Sequence, residues 1–267
     1  MFDPEYLNKV DFSRYERIGV AYSGGVDSSV LLYSLSLISD YKKKLFALHV
    51  NHGMSSKSNL WEEHCKKNCL SLNINFISLK LELFSNVNLN ENDLRKARYK
   101  ELFSWSKRGD VICTAHHKDD QVETILFRIL RGTGIKGLEG IKKFSKMRNI
   151  DLVRPLLDFS KEDLINYAKL NKLSWVEDDS NNDLLISRNY LRSKVLPLLS
   201  KQWPQYSNSF SSLSTKAKDA SLVLEEIAYS DLQSSLGSSN DHLSILKMES
   251  LSKERIKNLI YIWLCQL

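Results

Sequence analysis

The sequence predicts an α/β fold, a parallel sheet flanked by helices, with a smaller all-helical C-terminal region. Three observations carry that expectation. Apolar runs of strand length alternate with helical segments over the first two-thirds, a glycine pair follows the first run, and beyond Pro197 the composition turns to serine and asparagine with long helical periodicity. The first run, Ile18 to Tyr22, reads as a strand that stops at Ser23-Gly24-Gly25. Val30, Leu31, Leu32, Leu35 and Ile38 then recur at helical spacing, and Leu45 to Val50 reads as a second buried strand. The pattern repeats: Trp61 to Leu72 helical, Ile74 to Leu79 alternating like a strand, Glu91 to Lys107 a charged amphipathic helix, and Val111 to Ala115 a short strand ending at His116-His117. A helix from Asp119 to Arg131 follows, closed by Gly132 and Gly134. Strands in such units are buried on both faces, hence the parallel sheet.

Gln202-Trp203-Pro204 marks a boundary, giving a catalytic domain over 1–203 and a helical region over 204–267. The last segment, Leu251 to Leu267, is an apolar helix without a C-cap glycine, which leads us to expect a continuation. With 267 residues and 42% apolar content, about two domains are expected. The excess of 38 Lys+Arg over 32 Asp+Glu, a net +6, is compatible with a polyanionic partner, though many basic proteins bind none. Four unevenly spaced cysteines make no disulfide framework, which fits a reducing cytoplasm. Charged residues from Asp3 to Arg17 exclude a signal peptide, and no apolar stretch approaches the roughly 20 residues that span a bilayer, so no membrane association is expected. The oligomeric state stays open, a homodimer included.

The loop Ser23-Gly24-Gly25-Val26-Asp27-Ser28 joins the first strand to the first helix, where open α/β sheets bind ligands. Two glycines let the backbone turn and expose N–H donors, the helix start adds partial positive charge, and two serine hydroxyls add donors: a phosphate cradle. Asp27 would repel a phosphate unless a divalent cation such as Mg²⁺ lay between them. A plain capped helix after a glycine turn is the bland alternative. The loop carries neither a Gly-Lys-Ser/Thr ending nor the third glycine of the dinucleotide fingerprint, which disfavours a kinase or dehydrogenase.

Ser-Gly-Gly-Val-Asp-Ser directly after the first strand resembles the pyrophosphate loop of the ATP-pyrophosphatase, or PP-loop, enzymes, implying an adenine nucleotide alpha hydrolase-like fold. A second constellation runs from Ala115 to Thr124. Asp119 and Asp120, four and three residues before Glu123, share a helical face with it near the helix start. Like charges at that spacing cost about 0.2–0.5 kcal/mol per pair while the helix dipole returns about 0.3–1 per acidic group, so energy alone demands no metal. An acidic first turn is more often solvated; on the same sheet edge as the glycine loop it becomes the wall of a site.

With these two blocks, Val50 to Gly53, Leu94 to Tyr99, Arg131 to Leu138, Arg154 to Leu157, Asp179 to Asn181 and Arg188 to Arg192 bring the chain to resemble the tRNA(Ile)-lysidine synthetases over residues 17–200. The resemblance implies that ATP adenylates the carbon-2 oxygen of the wobble cytidine in an isoleucine tRNA with a CAU anticodon. L-lysine then displaces AMP, with Mg²⁺ assisting. It implies nucleotide binding by Ser23, Gly24, Gly25, Val26, Asp27, Ser28, His52 and His117, metal binding by Asp27 and Asp119, and catalysis by Asp27, Asp120, Glu123 and Arg98. Lysine or tRNA would be held by Asp119, Asp120, Glu123, Arg95, Arg188, Asn189 and Arg192. Arg95 and Arg98, three apart, suit a phosphate or the RNA backbone; Arg128 and Arg131, near a helix C-terminus, rank lower. His49, His52, His64, Cys65 and Cys69 lack the second ligand pair of a zinc site. The same lack separates the chain from thiolating relatives; a tRNA thiolase, another adenylating synthetase or a catalytically lost RNA-binding module are the alternatives.

Overall fold

The computed structural model describes residues 2–51, 53, 57–81, 91–177, 187–237 and 242–265. After a 3₁₀ turn at Pro4–Lys9, the chain alternates β1 (Ile18–Ala21), α1 (Val26–Ser36), a short α2 (Ser39–Lys42), β2 (Leu45–Asn51), α3 (Ser58–Leu72) and β3 (Asn75–Lys80). It continues with α4 (Glu91–Trp105), β4 (Val111–Cys113), α5 (Lys118–Ile129), α6 (Ile135–Leu138), β5 (Phe144–Met147), β6 (Ile150–Val153) and α7 (Lys161–Leu170). The helical remainder is α8 (Ser187–Tyr190), a π turn (Leu191–Val195), α9 (Leu196–Gln202), α10 (Tyr206–Ser235), α11 (Ile245–Met248) and α12 (Lys253–Leu264).

The six strands form one sheet in the order β3-β2-β1-β4-β6-β5. All pairs are parallel except β5–β6, a hairpin at the edge. The expected parallel sheet is thus present but mixed. The hairpin escapes sequence reading because its turn residues, Arg148 and Asn149 at φ 51° and 64°, replace the Asn-Gly that normally signals it. The strand β5 itself is mostly exposed, Phe144 and Met147 included, as suits an edge position.

Period-two alternation divides the core between the sheet's faces. Ile18, Val20, Leu45, Ala47, Val111 and Cys113 pack on one side with Val30, Leu31 and Leu35 of α1 and Leu164 of α7. Leu48, Ile112 and Leu152 pack on the other with Leu102 and Phe103 of α4. Because α1 is buried nearly all round, it shows no polar face. A Cβ at Gly19 would come within 2.7 Å of both Leu48 Cδ1 and Trp105 Cζ3, so glycine lets α4 close on the sheet.

Two compact units result: Met1–Glu123 with Ile141–Ser207, and Thr124–Gly140 with Asn208–Leu267. The cut differs from the expected one at Pro204, taking 124–140 out of the first unit. In the second unit Ala228 and Leu232 of α10 pack on Leu259 and Ile262 of α12. Arg255 pairs with buried Asp231, and Arg128 donates to the carbonyls of Gly137 (2.8 Å) and Gly140 (3.0 Å). Among the described residues no helix is long and apolar enough to cross a membrane.

Gly19→Val should lower stability by ~1–3 kcal/mol through overpacking, read as a lower urea midpoint; an unchanged midpoint would contradict this account of the α4 contact.

Candidate active site

The sheet order puts β2 on one side of β1 and β4 on the other, so chain direction across the sheet reverses between β1 and β4. That switch point is where parallel sheets open a crevice at their carboxyl ends. Val20 lies opposite Cys113 in the pairing, so the loops leaving both strands emerge side by side.

The loop after β1 turns at Gly24, whose φ of 85° suits glycine and whose Cβ would meet Cys65 Sγ at 2.7 Å. Its carbonyl accepts Val176 N–H at 2.9 Å. Gly25 is the N-cap of α1 and supplies no side-chain cap. The first-turn N–H groups therefore lack the usual oxygen acceptor, an arrangement suited to an anion. Ser23 Oγ and Ser28 Oγ are 3.1 Å apart beside them.

From β4 the chain enters α5 through His116 and His117. Asp120 folds back to accept the His117 backbone N–H at 2.9 Å. His117 is 5% exposed, and three carboxylates surround its ring. Nε2 lies 3.4 Å from Asp120 and 3.9 Å from Asp27, while Nδ1 lies 3.6 Å from Asp119 and makes no hydrogen bond. Asp27 and Asp120, in the first turns of α1 and α5, thus share one imidazole. Burial alone would lower the His117 pKa, but Asp120, Asp119 and Asp27 outweigh it and raise it. For His116 burial outweighs Asp120 and, with Arg154 and Arg95, lowers it to about 4.

Burial would raise both aspartates; the neighbouring His117 ring and the Lys161 N–H hold Asp119 at about 2 instead, and His117 and His116 lower Asp120. Glu123, 4% exposed, goes the other way because burial dominates. Arg192 donates to Glu123 (2.7 Å) and Asp120 (3.1 Å), and Arg188 Nε stands 3.8 Å from Glu123.

Lys161, which sequence reading missed, completes the cluster. Its ammonium donates to both Asp27 oxygens at 2.7 and 2.6 Å, and its backbone N–H to Asp119 at 2.7 Å. Asp27, Asp119, Asp120 and Glu123 are thereby matched by His117, Lys161, Arg192 and Arg188. With side chains 38% and 25% exposed, the Lys161–Asp27 pair is worth only ~0–1 kcal/mol. The one signal for Lys161 was the Ser160–Asp163 capping box, which fixes where α7 starts.

The other expected residues divide. His52 lies outside the described residues, as do Asp179 to Asn181. Arg95 is half-buried, 5.7 Å from the Tyr99 ring centre and felt electrostatically by His116, while Arg98 is exposed. Arg188 and Arg192 turn toward carboxylates, and Asn189 is buried, its carbonyl accepting Ser193 Oγ at 2.6 Å. Among the described residues no group of three or more His, Cys, Asp or Glu side chains is arranged to hold a metal by itself.

The family described as a PP-loop domain matches residues 4–199. Among curated proteins, a tRNA(Ile)-lysidine synthase of Legionella pneumophila (strain Paris) is 37% identical over 264 residues, covering 99% of this chain and 60% of the relative. Another tRNA(Ile)-lysidine synthase, from Coxiella burnetii, is 39% identical over 271 residues, covering 99% and 59%. The chain thus spans about three-fifths of the length of these relatives. Among solved structures, the U34-tRNA thiolase NcsA from Methanococcus maripaludis shares the fold at TM-score 0.64 and 18% identity, over 80% of this chain and 76% of that one.

Asp119 is held at about 2 against an ordinary 3.8, so its contribution to stability, on the order of 2 kcal/mol, is present above about pH 4 and is lost as pH falls toward 2. Asp119→Asn should flatten the stability profile across that window in denaturant titrations; an acid limb as steep as in the unsubstituted protein would contradict the assignment.

Proposed function

Since the chain belongs to the PP-loop domain family, we propose that it acts as a tRNA(Ile)-lysidine synthase, using ATP to activate the wobble cytidine of a CAU-anticodon isoleucine tRNA for attack by L-lysine. The names of its relatives support this reading, as does one arrangement: Asp27 from the glycine loop and Asp120 from the acidic turn converging on His117.

In the first step the cytosine carbon-2 oxygen bonds to the α-phosphorus of ATP, the bond to the bridging oxygen breaks, and pyrophosphate leaves with the electron pair. What the protein must do is hold the leaving group and offset its charge. The uncapped start of α1 and the Ser23 and Ser28 hydroxyls suit that task. Magnesium held by Asp27 and Asp119 would neutralise phosphate charge. A polyanionic substrate also accords with the net charge of +6.

In the second step an amine nitrogen of lysine bonds to carbon 2 and AMP departs with the oxygen. Lysine's amine has a pKa near 10.4, so roughly one molecule in a few thousand is unprotonated at pH 7. The amine must therefore surrender a proton inside the site. Glu123 is the best acceptor, because burial raises its pKa and so its basicity. Asp120, held low, stays charged and anchors the ammonium. Arg192 hydrogen-bonds both carboxylates before substrate arrives, so the incoming ammonium takes over part of its role.

The thiolase alternative loses ground on the cysteines. Cys65, Cys69 and Cys113 are buried, burial pushing the first two thiols to about 12, which leaves no accessible thiolate among them.

Incubation with ATP, radiolabelled lysine and CAU-anticodon isoleucine tRNA should put label into the tRNA with matching release of AMP and pyrophosphate; pyrophosphate release without lysine transfer would contradict the reading. Glu123→Gln should spare tRNA-dependent pyrophosphate release while reducing lysine transfer by about 10²–10⁴-fold, the usual worth of a general base. Equal loss of both steps would refute this division of labour.

A further inference from the structure

Lys161 breaks a local rule. It occupies the first position of α7, where the positive end of the helix dipole disfavours a cation. The helix does not need it there, since Ser160 and Asp163 already cap that terminus reciprocally. Residues that violate local preference without a structural return mark functional positions.

Its surroundings indicate the task. The ammonium rests on Asp27, in the first turn of α1, two residues beyond the uncapped Gly25. It therefore stands beside the helix start that has no side-chain cap and beside the paired Ser23 and Ser28 hydroxyls, the groups suited to phosphate. Its backbone is anchored independently, by Asp119, so the side chain can change partner while α7 stays in place. With 38% of that side chain exposed, the ammonium can leave Asp27 for another acceptor without crossing the core.

We propose that Lys161 is a leaving-group residue. Without nucleotide it neutralises Asp27; when ATP enters, it donates to the β- and γ-phosphate oxygens and offsets the charge that gathers on pyrophosphate as the bond from the α-phosphorus to the bridging oxygen breaks. The ammonium keeps its proton throughout. The inference rests on the adenylating reading given above and adds to it a residue that contacts the departing group rather than the nucleoside.

Titration calorimetry with ATP, inorganic pyrophosphate and AMP, each in the presence of magnesium, separates this role from a structural one. Lys161→Ala should weaken ATP and pyrophosphate by about tenfold or more, the effect of losing one charge-assisted contact, and leave AMP within about twofold. Lys161→Arg, which keeps the charge, should retain most of the pyrophosphate affinity. Lys161→Gln gives the same reading should the alanine variant lose its cooperative melting. Equal weakening of AMP and ATP, or unchanged pyrophosphate affinity in both neutral variants, would overturn the proposal. An unsubstituted chain that binds neither ATP nor pyrophosphate would instead contradict the adenylating reading itself, and this inference with it.

Discussion

Parallel pairing of β1 with β4 places two chemically opposed loops next to one another, and most of the molecule's chemistry follows from that juxtaposition. The loop after β1 offers uncapped N–H groups and hydroxyls; the one after β4 offers carboxylates. Brought together alone, Asp27, Asp119 and Asp120 would repel one another in a partly buried site. His117 is the common counter-charge, and its raised pKa records the field of those three groups. Lys161 and Arg192 extend the same balance outward, to Asp27 and to Glu123. The charges of the site are thus already matched, and a ligand that entered it would exchange partners with them rather than fill a bare cluster of acids.

That matching explains how two neighbouring carboxylates can differ. Asp120 and Glu123 lie on one face of α5, three residues apart, and both take a hydrogen bond from Arg192. Asp120 also faces two imidazoles and stays low, whereas for Glu123 burial outweighs the arginines and the pKa rises. One group remains a fixed negative charge and the other is poised to take a proton, which is the separation that acid–base chemistry requires.

The strands, the glycine loop and the acidic turn were legible in the sequence because each is written locally, as a run, a turn or a spacing. The β5–β6 hairpin was not, since Arg148-Asn149 carries positive φ without the expected glycine. Arg95 and Arg98 show the limit of spacing arguments: three residues apart still leaves about 60° between them around the helix. That angle suffices to half-bury one and expose the other. Arg188 and Arg192 were expected at lysine or tRNA, and only the tertiary fold shows them turned onto Glu123. Lys161 lies 134 residues from Asp27, so no local pattern could pair them.

Nucleotide affinity in a double-mutant cycle on Asp27 and Asp119 addresses the central claim most directly, that the two loops form one site. If both carboxylates serve the same bound magnesium nucleotide, Asp27→Asn and Asp119→Asn each weaken ATP binding and the pair together weakens it by less than the sum, with a coupling of ~0.5 kcal/mol or more. Strict additivity, or an effect from only one of the two, would contradict it.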